Sequence, residues 1–209
     1  MTLEDLLRTR RSVRRFRPEA PPDEVIERVL ELATLAPSAS NKQPWRFFVV
    51  TRRETIAAMA AAVRAAVLRV AAHVPEESAE AFRAYGDYFT RFEEAPVVVV
   101  PIHRGHAVLS NLVSETIDAE TLTIIFAMER DSGLVGTSLA LMNLLLAAHE
   151  AGLGASAMTG PLLAEPALRA LLAVPESWGI VALVPLGLPD EVPRPTERKA
   201  APKVTRWVR

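Results

Sequence analysis

The 209-residue sequence contains no cysteine, and this absence removes several kinds of chemistry at once. Disulfide bonds, thiolate zinc sites, cysteine-ligated iron–sulfur clusters and thiol nucleophiles are all excluded. The sequence also lacks an excess of charge of either sign, since its formal net charge is −1. Proteins whose main partner is nucleic acid or an anionic membrane are usually basic, so neither partner is favoured.

No uncharged run reaches the ~20 apolar residues that a transmembrane helix needs. The most apolar run, 133–148, includes Thr137, Ser138 and Asn143. We therefore interpret it as a core helix that is buried on nearly all sides and ends at Gly152. The first ten residues, MTLEDLLRTR, carry acids and no apolar segment, so we expect no secretory signal and a cytoplasmic protein.

The order of the predicted elements indicates an α+β fold. Periodicity and flanking prolines predict helices over 3–10, 21–36, 53–72, 75–95, 133–151 and 163–173. Strand composition marks 46–51, 96–102, 155–159 and 179–187, and the second of these is apolar throughout and therefore central. Helices outnumber about four strands without strict alternation, which favours α+β over a doubly wound sheet.

We expect a single domain over 1–209, with two segments that stand apart from its core. Residues 103–131 show mixed polarity and no firm period, which predicts an insertion or a mobile cover over a site. Residues 188–209 are rich in proline and charge, so they are predicted to be extended. This arm carries Val204, Trp207 and Val208, which favours docking across a dimer over a frayed tail.

The motif GLGASA (152–157) has the letters of a dinucleotide-binding fingerprint, but a predicted helix precedes it and a predicted strand follows. The fingerprint needs the opposite order, so we interpret Gly152 as a helix C-terminal cap. The four histidines have no metal-ligand spacing. Ser12, Ser38 and Ser40 lack the surroundings of a hydrolase nucleophile.

Positive charge is concentrated in residues 8–16, RTRRSVRRF, where five of nine residues are arginine. A nucleic-acid arm, a solvated helix face and a socket for one small anion are the three interpretations. Val13 and Phe16 lie between the arginines, which indicates a segment anchored by its apolar side chains. The consecutive residues Arg-Arg-Ser at 10–12 can give a phosphate several charge-assisted hydrogen bonds.

A second segment, APSASNKQPWRFFVV (36–50), places small polar residues between two prolines and before a strand. Such a loop is either a binding loop on rigid neighbours or a plain connection. Together, the two segments resemble the N-terminal signature of the FMN-dependent nitroreductase family. The shared pattern is R-R-S-x-R-x-F, a proline, a helix and then A-P-S-x-x-N-x-Q-P-W.

The resemblance continues along most of the chain, leaving out about 103–131. It includes the segments 97–101, 143–160, 183–189 and 194–199. It implies an α+β homodimer with a central, mostly antiparallel sheet of about four to five strands surrounded by helices. It also implies FMN at the subunit interface and a C-terminal arm exchanged between subunits.

Roles for individual residues follow from the resemblance by position. The FMN phosphate and ribityl end would be held by Arg10, Arg11, Ser12, Arg198 and Lys199. The flavin N1 and C2 carbonyl would be met by Arg14, and the N5 edge by Met158, Thr159 and Gly160. The cover over the flavin would come from the other subunit, through Pro37, Ser38, Ala39 and Asn41.

The activity implied is transfer of two electrons from NADH or NADPH, through flavin N5, to a nitroaromatic, a quinone or a similar small acceptor. Arg14 would stabilise the negative charge that reduction places at N1 and O2. No metal and no protein acid or base is assigned. Asn143, Ser156 and Ala157 depart from common family residues, and the last two predict a more open pocket near the flavin.

Three other functions stay open at the level of sequence. The same flavin fold can carry a different reaction, as in flavin destructases, dehalogenases and azoline dehydrogenases. A flavin-holding protein without catalytic activity is the second alternative. The nucleic-acid arm is the third, and it predicts steeply salt-dependent DNA binding.

Overall fold

The computed structural model describes residues 1–209 and contains seven α-helices and five β-strands. The helices are α1 (Leu3–Thr9), α2 (Asp23–Ala33), α3 (Arg53–Ala71), α4 (Ala79–Gly86), α5 (Ala119–Glu150), α6 (Glu165–Leu171) and α7 (Ala201–Val204). The strands are β1 (Trp45–Val50), β2 (Val97–His103), β3 (Gly154–Ala155), β4 (Gly179–Ile180) and β5 (Val184–Gly187). The predicted α+β class and antiparallel sheet are confirmed.

Strand β2 occupies the centre of the sheet, as its apolar sequence predicts. The order is β1-β2-β5-β3, and β4 also pairs with β2. β5 pairs with Val97–Val99 and β4 with Ile102–His103, so Pro101 falls between the two pairings. Proline has no N–H to donate, and this gap is where a central strand tolerates it.

The two faces of the sheet are covered by different helices, because successive β2 side chains alternate between them. Val98, Val100 and Ile102 pack with residues of α3 and α6. Val97 and Val99 pack with residues of α2 and the C-terminal half of α5. Each fully buried aliphatic side chain stabilises the fold by about 1.5–3 kcal/mol relative to an exposed one.

Helix α5 corrects two sequence-based expectations. It begins at Ala119 and not near 133, because the Asp118 carboxylate caps it by accepting the Thr121 N–H at 2.8 Å. Nearly half of the predicted cover, from 119 to 131, is therefore helical. The helix is also not buried on nearly all sides, since Leu134, Val135 and Leu139 are exposed.

The length and composition of α5 would allow it to cross a membrane, but half of its most apolar window is buried inside the protein. It packs against α2 and the sheet, so it is a core helix. This packing supports the interpretation of the apolar run 133–148 as part of a core helix, which was based on its length and polar residues.

Three shorter predictions were wrong in detail. The single helix expected over 75–95 is a 3₁₀ turn, α4 and a further 3₁₀ helix, Asp87–Glu94. The strand expected over 179–187 is divided into β4 and β5, and the one expected over 155–159 is reduced to β3. Local composition does not encode these breaks.

The glycines of the GLGASA motif have structural roles. Gly152 has φ 76°, and the next residue, Leu153, donates its N–H to the Ala148 carbonyl at 2.8 Å, which confirms the predicted helix cap. At Gly154, a Cβ would lie 2.6 Å from the Val13 side chain. The second glycine therefore lets the N-terminal segment lie against β3.

The end of the C-terminal arm, from α7 onward, is not docked on its own chain. Trp207 is 78% exposed and Val208 is 89% exposed, and α7 contains no buried residue. Docking of this arm across a dimer stays a prediction.

Candidate functional site

Arginines from both ends of the chain line one cavity of about 330 Å³. One of them is Arg8, and the wall is completed by Leu7, Met142 and Thr196. The other three, Arg10, Arg11 and Arg198, belong to the predicted site. No acidic residue lines this cavity, which we call the arginine pocket. Sequence resemblance predicted that these three arginines share a site, and the structure brings them together.

The N-terminal wall of the arginine pocket is anchored by apolar side chains. Val13 and Phe16 are buried and pack with Ala95, as their spacing between the arginines predicts. The Val13 N–H donates to the Ala155 carbonyl at 3.1 Å, and Ser12 forms a parallel bridge with the same residue. This attachment to β3 leaves the arginines on either side free to point outward.

The C-terminal wall is brought to the pocket by pairing between 14–17 and 188–191. Arg17 donates its N–H to the Leu188 carbonyl at 2.9 Å, and Asp190 donates to the Arg15 carbonyl at 3.0 Å. The Glu191 carboxylate accepts the N–H groups of Arg14 at 2.6 Å and Arg15 at 3.1 Å.

Sequence reasoning missed Glu191. The sequence offered one signal. Glu191 is an acid near the start of the C-terminal arm, and the backbone N–H groups of the arginine-rich segment 8–16 need acceptors.

The charge in the arginine pocket is not balanced by the protein. The pKa of Arg10 is lowered because the side chain is partly buried and because Arg198 and Arg11 repel it. The buried Nε of Arg10 has no hydrogen-bond partner. An unpartnered buried donor among like charges is costly, and a small anion removes that cost.

The other charged groups around the pocket do have partners. Arg11 donates to the carbonyls of Arg8 and Arg10, at 2.7 Å each, and Arg198 donates to the Thr196 hydroxyl at 2.6 Å. Arg8, at the rim, forms an exposed ion pair with Glu4 at 2.7 Å. Arg10 is therefore the arginine with most to gain from a bound anion.

His149 in the last turn of α5 lies beside the pocket and was not predicted to belong there. Its Nε2 is 2.8 Å from the Thr9 hydroxyl, so it fastens the end of α1 to α5. Burial and the nearby charges of Arg10 and Arg11 lower the pKa of His149. A bound anion would raise the pKa of His149.

Arg14 is directed away from the arginine pocket. Its guanidinium lies 5.9 Å from the ring centroid of Tyr88 in the 3₁₀ helix Asp87–Glu94. The adjacent Phe89 packs on Gly160, where a Cβ would lie 2.8 Å from the Phe89 Cγ. The 3₁₀ helix thus connects Arg14 to the segment predicted to lie at the flavin N5 edge. Neither aromatic residue was predicted to belong to the site.

The segment 158–160 is held firmly by the sheet. Met158 is buried and exchanges two backbone hydrogen bonds with Leu183, both at 2.9 Å, while Thr159 is exposed. The two residues before it behave differently, since Ser156 is 1% exposed and Ala157 is exposed. The small side chain of Ser156 therefore faces the core, and only Ala157 can open a surface pocket.

The loop 37–44 lies on α5 and does not line the arginine pocket. Ser38 accepts the Gln43 N–H with its hydroxyl at 2.9 Å, and the loop packs at Gly136, where a Cβ would lie 3.1 Å from the Pro44 Cγ. Three of its non-glycine residues, Ser40, Asn41 and Gln43, have φ of 50°, 50° and 47°.

Positive φ is costly for such side chains, and clusters of strained residues are typical of functional loops. The structure therefore does not bring all the predicted site residues together in one pocket. Pro37, Ser38 and Ala39 line a groove on α5, and Asn41 and Lys199 are exposed outside both this groove and the arginine pocket. Contribution of the loop to a partner's site stays a prediction.

An antiparallel sheet flanked by helices, with an arginine-lined pocket where the two ends of the chain meet, defines the class of protein. Within that class, residues 7–188 match the model of the nitroreductase family, and the chain belongs to that family. The match confirms the resemblance found in the sequence.

Similar proteins and structures carry several names. The chain is 33% identical over 213 residues to an NADH dehydrogenase of Thermus thermophilus, covering 95% of this chain and 92% of that protein. A BluB-like flavoprotein from Clostridium difficile superposes with a TM-score of 0.84 at 24% identity, with 100% of both chains covered. A nitroreductase with bound FMN from Desulfitobacterium hafniense gives a TM-score of 0.73 at 22% identity, again over 100% of both chains.

Proposed function

We propose that this protein is an FMN-dependent oxidoreductase that takes electrons from NADH or NADPH and passes two of them to a nitroaromatic, a quinone or a similar small acceptor. The observation that carries the proposal is the arginine pocket. Its uncompensated charge and the unpartnered Nε of Arg10 suit one compact anion, and not a polymer.

The residues in the pocket fit the phosphate end of FMN. A phosphate monoester carries roughly 1.5 to 2 negative charges near neutral pH and offers several acceptor oxygens. Arg10, Arg11 and Arg198 supply the guanidinium donors, and Ser12 supplies a hydroxyl beside them. Lys199 follows Arg198 in the chain, so a small movement of the arm would add a further cation.

The flavin end of the cofactor would lie toward Arg14 and the segment Met158–Gly160. Bound flavin would supply a centre that accepts hydride from the nicotinamide and returns electrons to the acceptor. The protein contributes Arg14 as a fixed cation, held near Tyr88, for the negative charge that develops at the N1 and O2 edge. Glu191 orients the backbone that carries this side chain.

We infer further that the protein works as a homodimer in the cytoplasm. The loop residues Pro37, Ser38, Ala39 and Asn41 would then cover the flavin of the other subunit. Two observations support this arrangement: α5 exposes an apolar stripe beside the loop, and the arm leaves Trp207 exposed on its own chain. Burial of these surfaces between subunits stabilises both.

One alternative keeps the flavin and changes the reaction, and the likeness in fold to a BluB-like flavoprotein favours including it. The two reactions differ in the fate of the flavin. A nitroreductase regenerates it, whereas a flavin destructase consumes it. Mass spectrometry of FMN after many turnovers distinguishes them.

The first experiment is the visible spectrum of the purified protein, followed by NADH and NADPH oxidation with and without a nitroarene or a quinone. Arg14→Leu is expected to retain FMN but to be reduced more slowly by NAD(P)H in stopped-flow traces. Arg15→Leu is the matched control, because Arg15 is exposed and has no assigned role. A colourless protein that takes up no FMN would overturn the proposal, and equal reduction rates in the two variants would remove the role of Arg14.

A further inference from the structure

A second cavity lies where the loop 37–44 meets the turn at 106–109 and α5. We infer that this cavity binds the anionic group of a small, carboxylate-bearing acceptor, with Lys42 as the cation and His106 as a hydrogen-bonding neighbour. The inference names a substrate class for the proposed oxidoreductase and so rests on that proposal.

The size and lining of the cavity suit one substituted ring. Its volume is about 250 Å³, near the small end of the range for ligand pockets. Apolar surface is supplied by Pro44, Val108, Leu109 and Met128, and the polar groups include Lys42 and His106. This mixed lining favours a ligand with an apolar body and one charged end.

The charge of Lys42 is available to a ligand. Lys42 lines the cavity and takes part in none of the ion pairs of the protein. The one acid in the lining is Glu129, which is 8% exposed. One Glu129 oxygen accepts the N–H groups of Val108 and Leu109 at 2.7 Å each.

Ser110 completes the coordination of the Glu129 carboxylate, through its N–H at 3.1 Å and its hydroxyl at 2.7 Å. Burial disfavours the ionised form, but these hydrogen bonds outweigh it, so the pKa of Glu129 lies below its ordinary value. The carboxylate is thus ionised, and both of its oxygens accept hydrogen bonds from the 108–110 turn. It forms no ion pair with Lys42 and needs no ligand of its own.

His106 supplies the second polar group of the cavity. Its Nε2 is buried and has no hydrogen-bond partner. Burial and the charges of Arg104 and Lys42 lower the pKa of His106, so the ring is neutral at physiological pH. A neutral imidazole can donate one hydrogen bond to a carboxylate oxygen, and this would satisfy the orphaned nitrogen.

The cavity is placed next to the proposed flavin cover. Ala39 and Ser40 line it, and Ala39 also belongs to the loop residues predicted to cover the partner's flavin. Ser40 has positive φ, so the turn that presents Lys42 is held in a strained shape. An acceptor anchored here by its carboxylate would extend its apolar body along this loop.

The test compares benzoate with its neutral counterpart benzamide, using calorimetric titration of the purified protein. Benzoate is expected to bind at least about tenfold more tightly than benzamide, because the carboxylate gains a charge-assisted hydrogen bond. Lys42→Met is expected to weaken benzoate binding about tenfold and to leave benzamide unchanged. His106→Gln, which keeps a donor in the cavity, is expected to lose less than Lys42→Met does.

Lys203→Met is the matched control, because it removes the same charge from an exposed site on α7. Equal affinity for benzoate and benzamide, or absence of benzoate binding, would overturn the inference. Benzoate binding that survives Lys42→Met but is lost in Arg198→Ala would assign the anion to the arginine pocket and also overturn it.

Reduction assays separate failure of this inference from failure of the proposed function. If 4-nitrobenzamide and 4-nitrobenzoate are reduced equally well and Lys42→Met changes neither KM, the oxidoreductase stands and the carboxylate preference is wrong. If neither compound nor a quinone is reduced but benzoate still binds through Lys42, the cavity assignment stands and the oxidoreductase is wrong.

Discussion

Two charged regions of this protein handle burial in opposite ways. In the arginine pocket, Arg10 is surrounded by like charges and keeps a buried donor without a partner. Near the end of the predicted cover, on α5, the buried Glu129 carboxylate accepts three backbone N–H groups and one hydroxyl. The first arrangement is incomplete until an anion arrives, and the second is complete within the chain.

The difference separates charge kept for a ligand from charge used to build a turn. Satisfied buried charges contribute to folding, since removing one partner leaves the others unpaired. Unsatisfied charges contribute to binding, since the ligand removes a cost that is already present. Substitutions in the two regions should therefore move different measurements.

The largest expected effect is on cofactor affinity. Arg10→Ala is expected to raise the FMN dissociation constant about 100-fold, because two or more charge-assisted hydrogen bonds to phosphate are lost. The apoprotein should keep its stability to within about 0.5 kcal/mol, because relief of repulsion offsets the lost packing. Fluorescence titration with FMN and urea unfolding of the apoprotein give the two values. A destabilised apoprotein with unchanged FMN affinity would reverse the assignment of Arg10.

Glu129→Gln should show the opposite pattern. We expect the free energy of unfolding to fall by about 2 kcal/mol, because the amide cannot accept from all the donors of the 108–110 turn. FMN affinity should be unchanged. Urea titration measures the loss, and Glu120→Gln, on an exposed position of the same helix, should cost no more than about 0.5 kcal/mol.

The same carboxylate should also make the fold sensitive to acid. The folded pKa of Glu129 lies below its ordinary value of 4.5, so the unfolded chain binds the proton more strongly in acid. The contribution of Glu129 is present above pH 4.5 and is lost as the pH falls through the folded pKa. Glu129→Gln should therefore flatten the acid limb of stability, and an identical acid limb in the variant would argue against this role.

A smaller effect is expected from His149, which senses the charge of the arginine pocket. Its folded pKa lies below the ordinary value of 6.5, so stability of the apoprotein should fall as the pH drops below 6.5. Inorganic phosphate in the pocket should oppose this loss by favouring the charged imidazole. Melting temperatures from pH 8 to pH 5.5, with and without phosphate, for the native protein and His149→Gln, test the coupling. Equal pH dependence in all four samples would show that His149 is not coupled to the arginine pocket.

The smallest effect is expected for Arg8→Ala, which compares an arginine paired with an acid to the unpaired Arg10 of the same pocket. Arg8 reaches the rim of the arginine pocket but is exposed and already paired with Glu4. Loss of such an ion pair costs about 0.5 kcal/mol or less, and FMN affinity should change less than about threefold. A change as large as that of Arg10→Ala would mean that uncompensated charge is not what selects the ligand contacts.

Much of this architecture was predictable because it is encoded locally. Apolar composition made β2 central, the spacing of Val13 and Phe16 identified anchors between arginines, and Gly152 marked the end of α5. Each of these signals depends only on neighbouring residues. The signature at both ends of the chain also identified the family.

The missed residues have in common that their partners are distant in the sequence. Glu191 meets backbone 177 positions away, and Glu129 meets a turn about 20 positions away. In sequence, both look like solvated surface acids, and Tyr88 looks like a residue on an amphipathic helix. Their roles arise only when folding brings an unpaired donor or cation to them.

The sequence by itself therefore determined most of the elements, the central strand, the family and the set of arginines near one another. The tertiary structure decided which arginine lacks a partner and which acid already accepts all its hydrogen bonds within the chain. It also decided which predicted site residues lie in the arginine pocket and which lie in the loop on α5. The physical reason is that helix caps and apolar periods are local, whereas the balance of charge at a point in space is summed over residues from the whole chain.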